Sequence, residues 1–316
     1  MALASLVTEI IIVIAGFGIA AELVARATGK LEPLLDQGMT GGVILGLLGA
    51  LPETMFVIIA MLHGSNDIAL GSALGGNVIL FTLGIGVVGI VYMMKWKKPV
   101  LMKEDYHVES IFLMIATIAM VALLFYGKLG RLSGTLMILI YAVYIGYRYY
   151  KSRAMIERNT SSQAAQRTIL EGAALLAAGT IIVLLLSETF VHLLTDLSGV
   201  LSVPPIWLAL VISPLAAELE ENLGAYRIAT KTHGGGSTAI VSFVGGKLQN
   251  NTMLLGIIGL LSASPVALNG ALSAFVAVIA INVIALWAIN RGRISFMNGM
   301  LFVLLYFVTI AATFYL

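Results

Sequence analysis

Apolar runs of span-like length recur along the whole chain, separated by short polar breaks. A run of about twenty mostly apolar residues predicts a membrane-spanning helix. Ten such runs fall near 5–26, 39–62, 67–94, 107–127, 131–150, 168–193, 199–227, 237–262, 265–290 and 295–315. The breaks carry turn chemistry: "HGSND" at 63–67, "KWKKP" at 95–99, "YGKLG" at 126–130, "SASP" at 262–265 and "NRGR" at 290–293. The first run has no basic segment ahead of it and is long enough to span, so it predicts a transmembrane helix rather than a signal peptide. Residues 151–167 form the longest polar stretch, too short to fold as a domain.

Basic residues alternate with the breaks. Fifteen of the 18 lysines and arginines, among them Arg26, Lys95, Arg148, Lys151, Arg227 and Arg291, fall on one side of the predicted spans. The other side holds Lys128 and Arg131, and Lys247 falls inside a span. The positive-inside rule makes the rich side cytoplasmic, which places both termini and the poor side outside the cell membrane. Five spans precede the basic 151–167 segment and five follow it. An odd number of spans per half turns the second half upside down. The chain therefore reads as an all-α integral membrane protein. It has a first five-helix repeat (1–150), a basic cytoplasmic linker (151–167) and an inverted second repeat (168–316).

Composition agrees. The 316 residues are 59% hydrophobic and 11% charged, with mean hydropathy +1.01, against roughly 25% charged in soluble domains. The chain has no cysteine, which excludes disulfides, thiolate metal sites and thiol catalysis. No H-E-x-x-H, G-x-S-x-G or P-loop run is present. Hydrolysis and ATP-driven pumping therefore have no residues to work with, and nothing points to an enzyme, a cofactor or a nucleic-acid partner.

The halves echo each other. "ETMFVIIAMLHGSNDIALGSALGGN" from Glu53 parallels "ENLGAYRIATKTHGGGSTAIVSFVGGK" from Glu221. Each copy has a glutamate in one helix, then His-Gly at a loop (His63 and His233), then a glycine pair in the next helix (Gly75-Gly76 and Gly245-Gly246). A carboxylate within a span is costly and is a functional candidate for that reason. Pro52 cannot donate to the carbonyl four residues back, so it frees the oxygen of Leu48, and Pro214 does the same for Leu210. Carboxylates beside free carbonyls suit a hard cation such as calcium. Broken helices at membrane depth are tolerated where they line a buried or wet cavity. Two of them entering from opposite sides would bring Glu53 and Glu221 together. Protons could replace the cation on the same carboxylates, charge for charge, which would complete an exchange cycle.

The stretch "LPETMFVIIAMLHGSNDIALGSALGGNVI" resembles the first α-repeat of the calcium/cation antiporter superfamily, which includes sodium/calcium and proton/calcium exchangers. "SPLAAELEENLGAY" is similar to the second repeat of the proton/calcium members and makes Glu221 the counterpart of Glu53. The resemblance implies a ten-helix antiporter exporting a divalent cation, Ca2+ foremost, in exchange for H+ or Na+ by alternating access. Its partners would be the transported ions and the bilayer, and its oligomeric state stays open. It also implies a cation-binding Asn or Asp further along the third helix of each half. Asn250 fits that place in the second half; in the first the matching residue is Leu80, with Asn77 almost one turn earlier. The hydroxyl residues that supply sodium ligands in sodium/calcium members are replaced by Gly49 and Ala50, and by Ala217 and Glu218. Their absence leans towards protons, whereas "LPE" leans towards sodium.

The candidate cation ligands are therefore Glu53, Glu221, Asn250, Asn77 and Glu218. Glu218 shares a helical face with Glu221, while Glu220 points about 100° away. Lys247 either snorkels to an interface or neutralises Glu218 or Glu221 in place of a sodium ion. Gln249 and Asn251 add polar groups beside Asn250. His63 and His233 read as loop histidines, Asp67 (or Ser65 or Asn66) as a helix cap, and Glu22 and Glu188 as interfacial. The alternative is a cation-selective channel, disfavoured by the paired inverted motifs, or an exchanger for another cation on the same fold.

Overall fold

The computed structural model describes residues 3–31, 51–102, 106–160 and 163–315. Among the described residues the regular structure is helical apart from four two-residue strands. In chain order the elements are α1 (Leu3–Leu31), α2 (Leu51–Leu62), α3 (Asn66–Ile79), a π-helical turn (Leu80–Gly84), α4 (Ile85–Trp96), β1 (Val100–Leu101), α5 (His107–Tyr126), β2 (Lys128–Leu129), α6 (Arg131–Thr160) and α7 (Gln163–Leu201). The second half continues with α8 (Pro205–Ala217), α9 (Leu219–Lys231), α10 (Gly235–Gln249), a second π-helical turn (Asn250–Leu254), α11 (Leu255–Leu261), β3 (Val266–Ala267), α12 (Leu272–Asn290), β4 (Arg293–Ile294) and α13 (Phe296–Tyr315).

Among the described residues, six helical stretches are long and apolar enough to cross a membrane: Leu3–Ala27, Asn66–Trp96, His107–Tyr126, Ala165–Leu201, Asn269–Asn290 and Phe296–Tyr315. Glu53–Leu62 and Pro205–Leu215 are shorter apolar helices. The polar side chains of α10 and its π turn dilute the apolar character of another predicted span, 237–262. Leu48, Gly49 and Ala50 lie outside the described residues.

Several local expectations are refined. Positive-φ glycines punctuate the chain at Gly64, Gly127 and Gly292, where a side chain would strain the turn. Asp67 sits in the first turn of α3 rather than at its cap, and Ser65 occupies the cap position without a side-chain hydrogen bond. The 151–167 segment is largely helical: α6 runs to Thr160 and α7 starts at Gln163. The 39 residues of α7 extend roughly 58 Å at the helical rise, well past a hydrocarbon core of about 30 Å. The predicted span 199–227 is divided: α7 ends at Leu201, Pro204-Pro205 restarts the chain, and α8 gives way to α9 at Glu218.

The core lies where α3 and α10 sit. Ile68 to Ile79 of α3 are buried throughout, and α10 is buried at every position but Thr238. Outer helices instead expose large apolar side chains such as Ile11, Ile12, Leu185 and Phe125, the surface a lipid environment demands. Helix α3 packs along α8 backbone to backbone. A Cβ at Gly71 or Gly75 would collide with the carbonyl oxygen of Ile206 or Leu210. Helix α13 packs on α4 and α11 on α6, with Gly86 against Gly299 and Gly134 against Gly256 at the crossings. Two short antiparallel ladders tie the ends: β1 with β4 (Val100 opposite Ile294) and β2 with β3 (Lys128 opposite Ala267).

Candidate cation-binding site

Glu53 enters the interior from the first turn of α2 and is fully buried. Glu218 enters from the junction of α8 and α9, where φ −99° and ψ 3° depart from the helix. Pro214, inside α8, lies one turn before that junction. Its own carbonyl still accepts from the Glu218 N–H at 2.9 Å, and the helix resumes at Leu219.

Asn250 joins the two acids. Its Nδ2 donates to Glu53 Oε2 at 2.7 Å and, at 3.4 Å, to Glu218 Oε1. Lys247, on α10, is fully buried, and its Nζ lies 2.5 Å from Glu218 Oε1. Of the two readings of this lysine, snorkelling does not describe its position. Gly76 of α3 floors the group: a Cβ there would collide with Glu218 Oε1 and lie 2.6 Å from Asn250 Nδ2 and 2.8 Å from Glu53 Oε1. Glu221 stands one turn beyond Glu218 on α9, 6% exposed. Its two carboxylate oxygens lie against Gly246, where a Cβ would be 2.8 and 2.9 Å away, and it is close enough to Lys247 to interact with it electrostatically.

Asn77 is buried near the same floor, with its amide turned to the carbonyl of Ala73 at 3.0 Å. Glu53 Oε1, Glu218 Oε2, Asn77 Oδ1 and Asn250 Oδ1 are buried without a hydrogen-bond donor. Orphaned acceptors of this kind are costly unless a cation or proton serves them. With Glu53, Glu218 and Glu221 all ionised, the formal count would be three negative charges against one positive charge on Lys247. In that form the cluster would be two charges short of neutrality, the charge of one divalent cation.

A second ring of contacts was not legible from motifs. Gln249 Nε2 donates to Thr54 Oγ1 at 3.2 Å, and Tyr141 O–H donates to Gln249 Oε1 at 3.0 Å. Thr54 adjoins Glu53, so α6 reaches the site through Tyr141 and Gln249. Beyond it lies a buried ion pair. Arg148 Nε donates to Glu109 Oε1 at 2.7 Å, and Tyr144 O–H reaches the same oxygen at 3.2 Å. Arg148, read from sequence as a loop cation, is 1% exposed. Its place near the basic run hid a partner 39 positions away. Asn251 is buried in the π turn.

Glu22, Glu188, His63 and His233 have partners outside the cluster. Glu22 pairs with Arg26 at 2.9 Å and Arg227 at 3.7 Å. Glu188 meets His63, and His233 packs against Trp96 with ring centroids 3.9 Å apart and planes tilted by 44°. Glu220 lies within α9.

Comparison with known proteins bears on this arrangement. The profile of the family described as sodium/calcium exchanger protein matches residues 5–150 and 171–315. The inner membrane protein YrbG of Escherichia coli (strain K12) is 27% identical over 143 residues, 45% of this chain and 41% of that protein. Among solved structures, the H+/Ca2+ exchanger CAX superposes with a TM-score of 0.81 at 18% identity, covering 97% of this chain and 82% of that one. Native YfkE gives 0.74 at 20% identity over 98% and 92% of the two chains. The sodium-calcium exchanger NCX_Mj gives 0.71 at 16% identity over 97% and 98%.

Proposed function

The chain belongs to the sodium/calcium exchanger protein family, and from that premise we propose that it is a secondary antiporter exporting a divalent cation, calcium first, in exchange for protons. The observation that carries this reading is the Asn250 amide, which joins the buried carboxylates of Glu53 and Glu218 while Lys247 holds the second of them. Glu53, Glu218, Glu221, Asn250 and Asn77 are the proposed ligand set. Lys247 supplies a fixed positive charge where a bound sodium ion would otherwise balance Glu218. A tethered charge cannot be exchanged, and that favours protons as the travelling counter-ion.

The proposed plan is ten spans in two inverted halves, 1–150 and 168–316, joined by the basic segment on the cytoplasmic side. Exchange of equivalent parts supports it. The π turns Leu80–Gly84 and Asn250–Leu254 follow matching helices, and Thr82 and Thr252 bond back to Val78 and Leu248 in the same way. Swapping the halves turns the β1–β4 ladder into β3–β2, and the Gly86–Gly299 crossing into Gly256–Gly134. Inversion sets the two site-bearing segments against each other near the midplane, as alternating access requires.

The test is calcium uptake into inside-out vesicles under an imposed proton or sodium gradient. Uptake driven by an acidic interior is expected. Uptake driven by sodium alone overturns the counter-ion, and uptake independent of either gradient identifies a channel.

A further inference from the structure

His63, Glu188 and His192 form a second constellation on the surface, away from the central carboxylates. His63 follows the last residue of α2; Glu188 and His192 are four positions apart on α7 and so share a helical face. One ligating atom from each lies within 4.8 Å of the other two, and all three residues are exposed. The two imidazoles meet edge to face, with ring centroids 5.7 Å apart and planes at 81°.

Hydrogen bonding fixes which nitrogen is available. His63 Nδ1 lies 2.9 Å from the carbonyl oxygen of Ile59. A carbonyl only accepts, so Nδ1 carries the proton of the neutral ring and Nε2 presents its lone pair. That Nε2 lies 3.2 Å from Glu188 Oε1. A lone pair facing a carboxylate is an unfavourable pairing unless positive charge enters it. A proton satisfies His63 and Glu188 and leaves His192 unused; a metal ion engages all three.

We propose that His63, Glu188 and His192 bind a divalent transition metal of the Zn2+ class, at a site separate from the transport site. Two imidazoles and a carboxylate are a familiar Zn2+ donor set, with a fourth position left to water. Nitrogen ligands select against calcium, which takes oxygen. The Ile59 carbonyl acts as the outer partner that orients a metal-bound imidazole. A bound ion would tie the end of α2, the helix that carries Glu53, to α7.

The experiment is calorimetric titration of Zn2+ into the purified full chain with calcium in excess. It compares wild type with His63→Ala, His192→Ala and His233→Ala, each preparation being first shown to retain the wild-type unfolding temperature. One Zn2+ per chain is expected, weakened at least tenfold by either of the first two substitutions and unchanged by the third. Absence of Zn2+ binding by wild type, or undiminished binding by His63→Ala or His192→Ala, overturns the site. Neither result bears on calcium exchange, which vesicle flux reads separately.

Discussion

Lys247 Nζ and Glu218 Oε1 lie 2.5 Å apart in the interior, their side chains 0% and 1% exposed. Removing one partner of a buried pair strands the other charge, which costs about 3–5 kcal/mol. Lys247→Ala should therefore lower the unfolding temperature clearly, and adding Glu218→Gln should restore much of the loss. Lys247→Ala should also change counter-ion preference or stoichiometry in vesicles, since a mobile cation can then enter its place. Unchanged stability together with unchanged coupling would reduce Lys247 to a bystander.

Glu53→Gln keeps the side-chain shape and removes one of the two carboxylates that share Asn250. Calcium exchange should vanish while the protein still folds. The same variant should lose the thermal stabilisation that calcium confers on wild type, about 2.7 kcal/mol at a hundredfold excess over the dissociation constant. Wild-type flux in this variant would sink the assignment of Glu53.

Gly76 leaves space that any Cβ would take from three site atoms at once. Overpacking of this kind costs about 1–3 kcal/mol, and here it would push Glu218, Asn250 and Glu53 apart. Gly76→Ala is expected to cut transport at least tenfold. Gly146→Ala is the matched control: a Cβ added there would have nothing within 4 Å, so flux should stay at the wild-type level. Equal flux in both variants would remove Gly76 from the site.

How much of this was legible in the sequence follows from which interactions are local. Glu53 stood out because an acid in an apolar run is conspicuous, and the glycine pairs marked the internal repeat. The phase of the second acidic segment was less clear. The repeat alignment and the resemblance pair Glu221 with Glu53, and the structure adds that Glu218, at the interruption between α8 and α9, shares Asn250 with Glu53. Gln249, Tyr141 and Thr54 are joined only by the tertiary fold. No periodicity marks a hydrogen bond between residues 195 positions apart.

Tyr141 tests whether that outer ring matters. Tyr141→Phe deletes the donor to Gln249 Oε1 while conserving the ring. The loss should be about 0.5–1.5 kcal/mol of stability, together with a severalfold weaker calcium affinity as Gln249 ceases to hold Thr54 beside Glu53. Calcium titration of the purified variant measures this, and unchanged affinity would confine Tyr141 to packing.

The Glu109–Arg148 pair separates structural charge from functional charge. Both residues are buried, and Arg148 is held through two of its nitrogens by one oxygen of Glu109, with Tyr144 on the same oxygen. Arg148→Ala leaves a buried carboxylate without its cation, so it should cost about 3–5 kcal/mol. The double change Glu109→Leu with Arg148→Met removes both charges and keeps apolar volume, which is often neutral or stabilising. It should recover most of the unfolding temperature and leave calcium exchange near wild type, because neither side chain contacts Glu53, Glu218 or Asn250 through any of these bonds. If the stable double variant folds yet fails to exchange calcium, the pair belongs to the transport machinery, connected to it through Tyr144, Tyr141 and Gln249.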